Sequence, residues 1–453
     1  MTTPSAVFKA YDIRGTYPDQ IDAALVRALG AAVAKFCASP ELLVARDMRE
    51  SGVELTAAFA EGAATQGVAI IDLGLASTDF LYFAAGHLNR PGAMFTASHN
   101  PAQYNGVKLC FAGARPIGQD TGLAEIQALT EAFMANPPTP ATPMVTERNL
   151  LAEWVQHVHS FIDVEQLRPL KIVADTANGM GGFVVPLVMA GLPFEVDILY
   201  PELDGSFPNH PADPIQPENL VDLQRAVVER GADIGLAFDG DADRVFLVDE
   251  HAEGVSGSLT TAMVADAMGK RHAGATILYN LICSKVVPEV IAANGGTAVR
   301  TRVGHSFIKA EMERTGAVFG GEHSGHYYYR ENFNADSGII TAMVVLGLMG
   351  STGKSLSELV APYAKYSASG EINTEVPNPK LAVELVARHL EGAGPILDHL
   401  DGLTATYDDW WFNLRPSNTE PLLRLNVEAP SPADVATHVA EVQALVRSLL
   451  ETA

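Results

Sequence analysis

The chain has 453 residues, room for roughly three domains at about 150 residues each, or four smaller ones. Its composition, 47% apolar and 19% charged, suits large buried cores and excludes wholesale disorder or a fibrous fold. Acidic residues outnumber basic ones 54 to 30, a formal charge of -24, which opposes nonspecific binding to nucleic acid or an anionic membrane and obliges a small anionic ligand to meet a local cluster of Arg and Lys.

The first third alternates helix and strand patterns. Ile21, Leu25, Leu29, Val33 and Phe36 recur at helical spacing before a strand at 42–46. Ser51 and Glu54 read as a capping box opening a second helix. A strand at 68–72, a helix beginning near Ser77 and a strand at 92–97 ending at Ser98 complete an α/β pattern with a buried sheet. Residues 136–143 place four prolines among eight residues, which should end one unit and run extended along its surface. A helix near 148–161 and strands at 171–175, 233–238 and 245–248 form a second unit. Apolar runs at 276–280 and 316–320 belong to a third. From about residue 370, the run R-L-N-V precedes a closing helix striped by Val435, Val439, Val442, Val446 and Leu449. The expected boundaries are 1–147, 148–253, 254–367 and 368–453. No short repeat argues for a solenoid, although the three α/β segments can be structural repeats without sharing letters.

Four segments carry candidate chemistry. In F-D-G-D-A-D-R, Asp239, Asp241 and Asp243 follow a strand and alternate with the small Gly240 and Ala242. They form either an oxygen-ligand site suited to Mg2+ or an acidic solvent-facing turn. In T-A-S-H-N-P, Ser98 is a nucleophile, a phosphate carrier or a turn hydrogen-bonder, with His99 beside it. Lys108, ten residues on, returns to the same mouth or is a surface charge. In R-P-S-N-T-E-P, Arg415 with Ser417, Asn418, Thr419 and the later Arg424 forms an anion cradle or a polar turn. In G-G-E-H-S-G-H, Glu322 and Ser324 suit sugar hydroxyls; the His spacing lacks the HExxH order of a zinc helix. The glycine-rich run at 175–182 has no P-loop ending and reads as a tight turn. Cys37, Cys110 and Cys283 lie far apart and give neither a disulfide framework nor a CxxC zinc pattern. The start has no signal-peptide apolar core, and windows such as 339–350 are about one buried helix long, so a soluble cytoplasmic protein is expected.

Together the four motifs, in their order along the chain, resemble the alpha-D-phosphohexomutase superfamily over essentially the whole chain, most of all its bacterial phosphomannomutase/phosphoglucomutase branch. The resemblance implies three similar α/β domains with mixed sheets plus a C-terminal α+β domain around a central cleft. It implies that Ser98 is the phosphoserine, that Asp239, Asp241 and Asp243 bind Mg2+ with an oxygen on Ser98, and that Arg244 steadies the reacting centre. Tyr11 and Arg14 match the family's N-terminal active-site segment. Lys108 and His305 match positions of proton transfer or substrate handling. His99, Lys285, Glu322 and Ser324 match substrate contacts, and Arg415, Ser417, Asn418, Thr419 and Arg424 the distal phosphate grip. Ala242 stands where the most familiar motif has glycine.

By the same resemblance the expected reaction interconverts hexose 6-phosphate and hexose 1-phosphate, with hexose 1,6-bisphosphate as activator and intermediate. Mannose phosphate is the first expectation. The alternatives are glucose phosphate, dual specificity, or glucosamine phosphate. A metal-dependent phosphatase and an inactive sugar-phosphate binder are the competing classes. The expected partner is the phosphorylated hexose alone, without nucleic acid or membrane, and the chain is expected to be a monomer.

Overall fold

A computed structural model describes residues 4–9, 11–417 and 422–452. Three mixed sheets share one strand plan. In the first, Glu41–Arg46 lies between the parallel strands Ala69–Leu75 and Gly92–Phe95, and Tyr104–Cys110 returns antiparallel beside the latter. The second repeats this with Leu170–Asp175 between Phe194–Leu199 and Ile234–Phe238, and Val245–Asp249 antiparallel beside the last. The third does so with Thr276–Asn280, Thr297–Thr301, Phe319–Gly321 and Tyr327–Tyr329. The repeat is topological, which is why no repeated letters announce it. Central strands such as Ile234–Phe238 are buried throughout, as helices packed on both faces of a parallel sheet require.

The consequence for function lies in the turn from the third strand of each plan to the fourth. Those turns hold Ser98, the three aspartates and the 322–326 loop, respectively. Open parallel sheets place their sites beyond the carboxyl ends of the strands, and here three such ends contribute.

Most expected elements form, with shifted ends. The first helix is Ala23–Cys37, opened by the Asp22 carboxylate accepting from Leu25 N at 2.8 Å. The expected capping box at Ser51 does not form. Ser51 is already the first residue of helix Ser51–Ala64, and its hydroxyl oxygen instead accepts from the Asn105 amide at 2.7 Å. The proline-rich stretch runs without regular structure and is followed by Val145–Glu147, an added parallel strand on the first sheet. The final unit is an antiparallel sheet covered by helices Pro379–Leu390 and Pro432–Glu451. In its closing helix Val435, Val442 and Val446 are buried, and Val439 and Leu449 are half-buried against the same core. One continuous apolar core from Leu43 to Val360 joins the first three units, beside a further cluster within each, whereas the core of the last, from Val376 to Val446, is separate.

Candidate active site

Ser98 follows the buried strand Gly92–Phe95 and takes a left-handed backbone with φ 50, a conformation costing a non-glycine residue roughly 1–2 kcal/mol. Arg49 holds it there. This buried guanidinium donates to the carbonyls of Ser98 (3.0 Å), Asn100 (2.6 Å), Pro101 (2.9 Å) and Tyr104 (2.9 Å), and to the Asp47 carboxylate at 3.2 Å. The Ser98 hydroxyl donates to Asp239 Oδ2 at 2.7 Å and accepts from Arg244 Nη2 at 3.3 Å. The approach of the two loops is so close that a Cβ on Gly240 would lie 2.4 Å from the Ser98 carbonyl oxygen, so only glycine fits.

The three aspartates are no solvent-facing turn: none is more than 1% exposed. One oxygen from each lies within 4.8 Å of the others. Lys108, also buried rather than a surface charge, bridges Asp241 and Asp243 at 2.8 and 2.6 Å. Burial raises the Asp239 carboxyl to about 6 even though Arg244 opposes the shift. Burial and the Asp241 charge push Asp243 well up. Asp241 is equally buried, but Lys108 and the Thr78 hydroxyl outweigh that cost and hold it low. Burial disfavours the Lys108 charge too, and the same two carboxylates overcome it. Asp241 Oδ1 and Asp243 Oδ1 have no hydrogen-bond partner. Crowded carboxylates with orphaned oxygens fit a hard divalent cation.

Other expected residues gather around this centre. Arg14 donates to Asn100 Oδ1 at 2.5 Å in the serine turn. His99 Nδ1 lies 3.3 Å from the Ser98 hydroxyl, and burial, with the charges of Arg244 and Arg14, pushes its imidazole pKa well down. Arg244 forms an antiparallel bridge with His326, tying the acidic loop to the third sheet's turn. In that turn Ser324 lies 3.0 Å from His326 Nδ1. Glu322 is 1% exposed and accepts from Tyr328 Oη (2.5 Å), Asn280 Nδ2 (3.2 Å) and Gly304 N (3.2 Å). The Tyr11 phenol donates to Val303 O at 3.1 Å, and its pKa is raised by burial and then by the charges of Asp401 and Glu322.

Lys285 stands at the junction of the third unit with the last: its ammonium donates to Asp409 O at 3.2 Å and sits 4.3 Å from the centroid of the Tyr366 ring. His305 begins helix His305–Thr315, but its side chain, like Asn418 and Thr419, lies outside the described residues. Arg415 and Arg424 face each other on the last sheet's strands, and Ser417 N donates to Leu422 O at 2.8 Å.

Three participants escaped the sequence reading. Thr78 Oγ1 donates to Asp241 Oδ2 at 2.6 Å, and Asp213 approaches Arg244 Nη1 at 3.7 Å. The third is Arg49, whose one visible signal was charge in R-D-M-R-E directly after a buried strand.

Family models describing phosphoglucomutase/phosphomannomutase α/β/α domains I, II and III match residues 5–136, 152–254 and 256–366, and the C-terminal domain model matches 371–445. The chain belongs to the phosphoglucomutase/phosphomannomutase family. Family relatives include phosphohexose mutases from Xanthomonas campestris pv. campestris, 39% identical over 452 residues, covering 99% of this chain and all of the relative. A phosphomannomutase from Escherichia coli K12 is 39% identical over 98% of this chain and 99% of its own. A solved family structure from Burkholderia thailandensis superposes with a TM-score of 0.89 at 30% identity, covering 100% of this chain and 98% of that one. The family's four-part layout is therefore borne out, as is the expected fold class.

Proposed function

We propose that this protein interconverts hexose 6-phosphates and hexose 1-phosphates, mannose phosphate foremost, by passing a phosphoryl group through Ser98. One observation carries the reading: a buried serine hydroxyl, strained into position, donates to an aspartate of a carboxylate cluster at 2.7 Å beneath an arginine. The relatives' printed names, phosphomannomutase and phosphohexose mutases, support the same reaction class.

In this reading Asp239, Asp241, Asp243 and an oxygen on Ser98 would hold Mg2+, which when bound draws charge from the transferring group. Ser98 Oγ gives its phosphoryl group to the free hydroxyl of a hexose phosphate. The Oγ–P bond breaks, a sugar O–P bond forms, and the hydroxyl proton passes to a base. Arg244 offsets charge on the serine oxygen. Lys108 and His305 are assigned to proton transfer or substrate handling, and the conjugate acid of the base serves in reverse. The hexose 1,6-bisphosphate then turns end for end and returns its other phosphate to Ser98. Arg415 and Arg424, with Ser417, Asn418 and Thr419, grip whichever phosphate is not reacting; Tyr11, Arg14, His99, Glu322 and Ser324 receive the sugar. The protein is read as a monomer.

The test compares mannose, glucose and glucosamine 1-phosphates side by side after bisphosphate activation, for the wild type and Ser98→Ala. Loss of the carrier oxygen should cut kcat by about a thousandfold or more and abolish the phosphoenzyme in intact-mass spectra. Near-normal turnover by Ser98→Ala would overturn the reading.

A further inference from the structure

The register of the last sheet sets Arg415 directly opposite Arg424. Like charges paired across adjacent antiparallel strands are destabilising unless an anion lies between them. Among the described residues the anion that lies between them is Glu371. Its Oε2 accepts from Arg415 Nη2 at 2.6 Å, and its Oε1 lies 3.4 Å from Arg424 Nη1. One carboxylate thus spans both guanidiniums, as two oxygens of a phosphate would. The pair is not saturated: Arg415 Nε and Arg424 Nε are buried without hydrogen-bond partners.

Glu371 comes from neither arginine strand. It sits where the chain enters the last unit, between the short strands Ser367–Ala368 and Ile372–Glu375, both paired with Leu422–Ala429. Ser369 is fixed there, its N donating to Val427 O and its hydroxyl oxygen accepting from Val427 N, each at 2.9 Å. Gly370 follows at φ +66 with open space around its Cα, so the chain swings the carboxylate across the arginines. The Glu371 side chain is 28% exposed, within reach of an incoming anion.

We propose that Glu371 is a built-in competitor for the distal phosphate, weakening the arginine grip so that a bisphosphate sugar can let go and turn. The inference rests on the cradle assignment above. A cradle with both arginines and no internal anion would hold the intermediate too long; a carboxylate that re-enters as the phosphate leaves shortens that stay.

The experiment measures inorganic phosphate binding by calorimetry, and KM and kcat for mannose 1-phosphate, with the full-length chain. Glu371→Gln, with Glu371→Ala as a second replacement, should bind phosphate about tenfold more tightly. It should also lower KM and lower kcat, because release from the cradle slows. Glu384→Gln, an exposed charge-matched control on helix Pro379–Leu390, should leave all three unchanged. In an Arg415→Ala background the gain should vanish. Unchanged or weaker phosphate binding in both Glu371 variants, or a gain that persists without Arg415, overturns the proposal. If the wild type shows no mutase turnover while the Arg415-dependent gain holds, the reaction assignment fails and the competitor stands.

Discussion

The two ends of the proposed site are built differently. At the reacting end Ser98, the three aspartates, Lys108 and Arg244 are at most 5% exposed, and turns from three sheets lock together over one shared apolar core. At the distal end Arg415 and Arg424 lie on a sheet with its own core, their side chains 11% and 29% exposed, both paired with the Glu371 carboxylate. Phosphoryl transfer depends on donor and acceptor held in near-fixed geometry, whereas a grip that must receive either end of a bisphosphate has to release it. On the proposed assignment, the tightly buried groups lie where bonds would change and the more exposed ones where the substrate would be merely held.

The hardest test of this contrast is Arg49→Met. It strands five hydrogen-bond acceptors, one of them the Asp47 carboxylate, under the serine turn. Breaking a buried ion pair from one side costs about 3–5 kcal/mol. Thermal unfolding should shift down sharply, and kcat should fall because Ser98 loses its strained pose, with KM little altered. If melting temperature and kcat both stay near wild type, the reacting end is not held from below and the contrast fails.

Arg415→Ala probes the other end and should behave in the opposite way. Losing a charged hydrogen bond to phosphate costs about 1.5–3 kcal/mol, or roughly a 10- to 150-fold rise in KM. Stability should change little, since the substitution also relieves the Arg415–Arg424 repulsion. Steady-state kinetics beside a melting curve checks both, and a large loss of stability with unchanged KM would make the arginine structural.

Legibility followed the same division. The acidic turn, the serine turn and the arginine strand were visible as local motifs because each packs its chemistry into a few consecutive residues. The alternation of helix and strand patterns likewise exposed the α/β class. What stayed hidden was long-range. Arg49 reaches Ser98 across 49 positions, Thr78 reaches Asp241 across 163, and Glu371 meets Arg415 across 44; no periodicity records such pairings. Lys108 was open to the surface-charge reading because burial of a lysine is set by partners that arrive from another sheet. The capping box at Ser51 failed for the same reason: a tertiary donor, Asn105, took the oxygen that a local rule assigned to the helix. The strand plan shared by the first three sheets was invisible in letters and plain in strand order.

The smallest expected effect tests the frame itself. Ala242 is fully buried at φ 59, where the most familiar motif has glycine. Glycine would relieve left-handed strain of about 1 kcal/mol but would also enlarge the unfolded ensemble by a comparable amount and remove a buried methyl. Ala242→Gly should therefore shift stability by less than about 1 kcal/mol and leave kcat unchanged. The acidic turn is shaped from outside: Met180 N donates to Gly240 O at 2.8 Å, and Thr78 N donates to Asp241 O at 3.0 Å. A frame of that kind should keep the three carboxylates in place whichever small residue sits between them. The Mg2+ concentration giving half-maximal activity is the sensitive readout. If it moves more than about threefold, the turn owes its shape to its own backbone preferences, and the rigidity ascribed to the surrounding sheets must be reassigned to the loop.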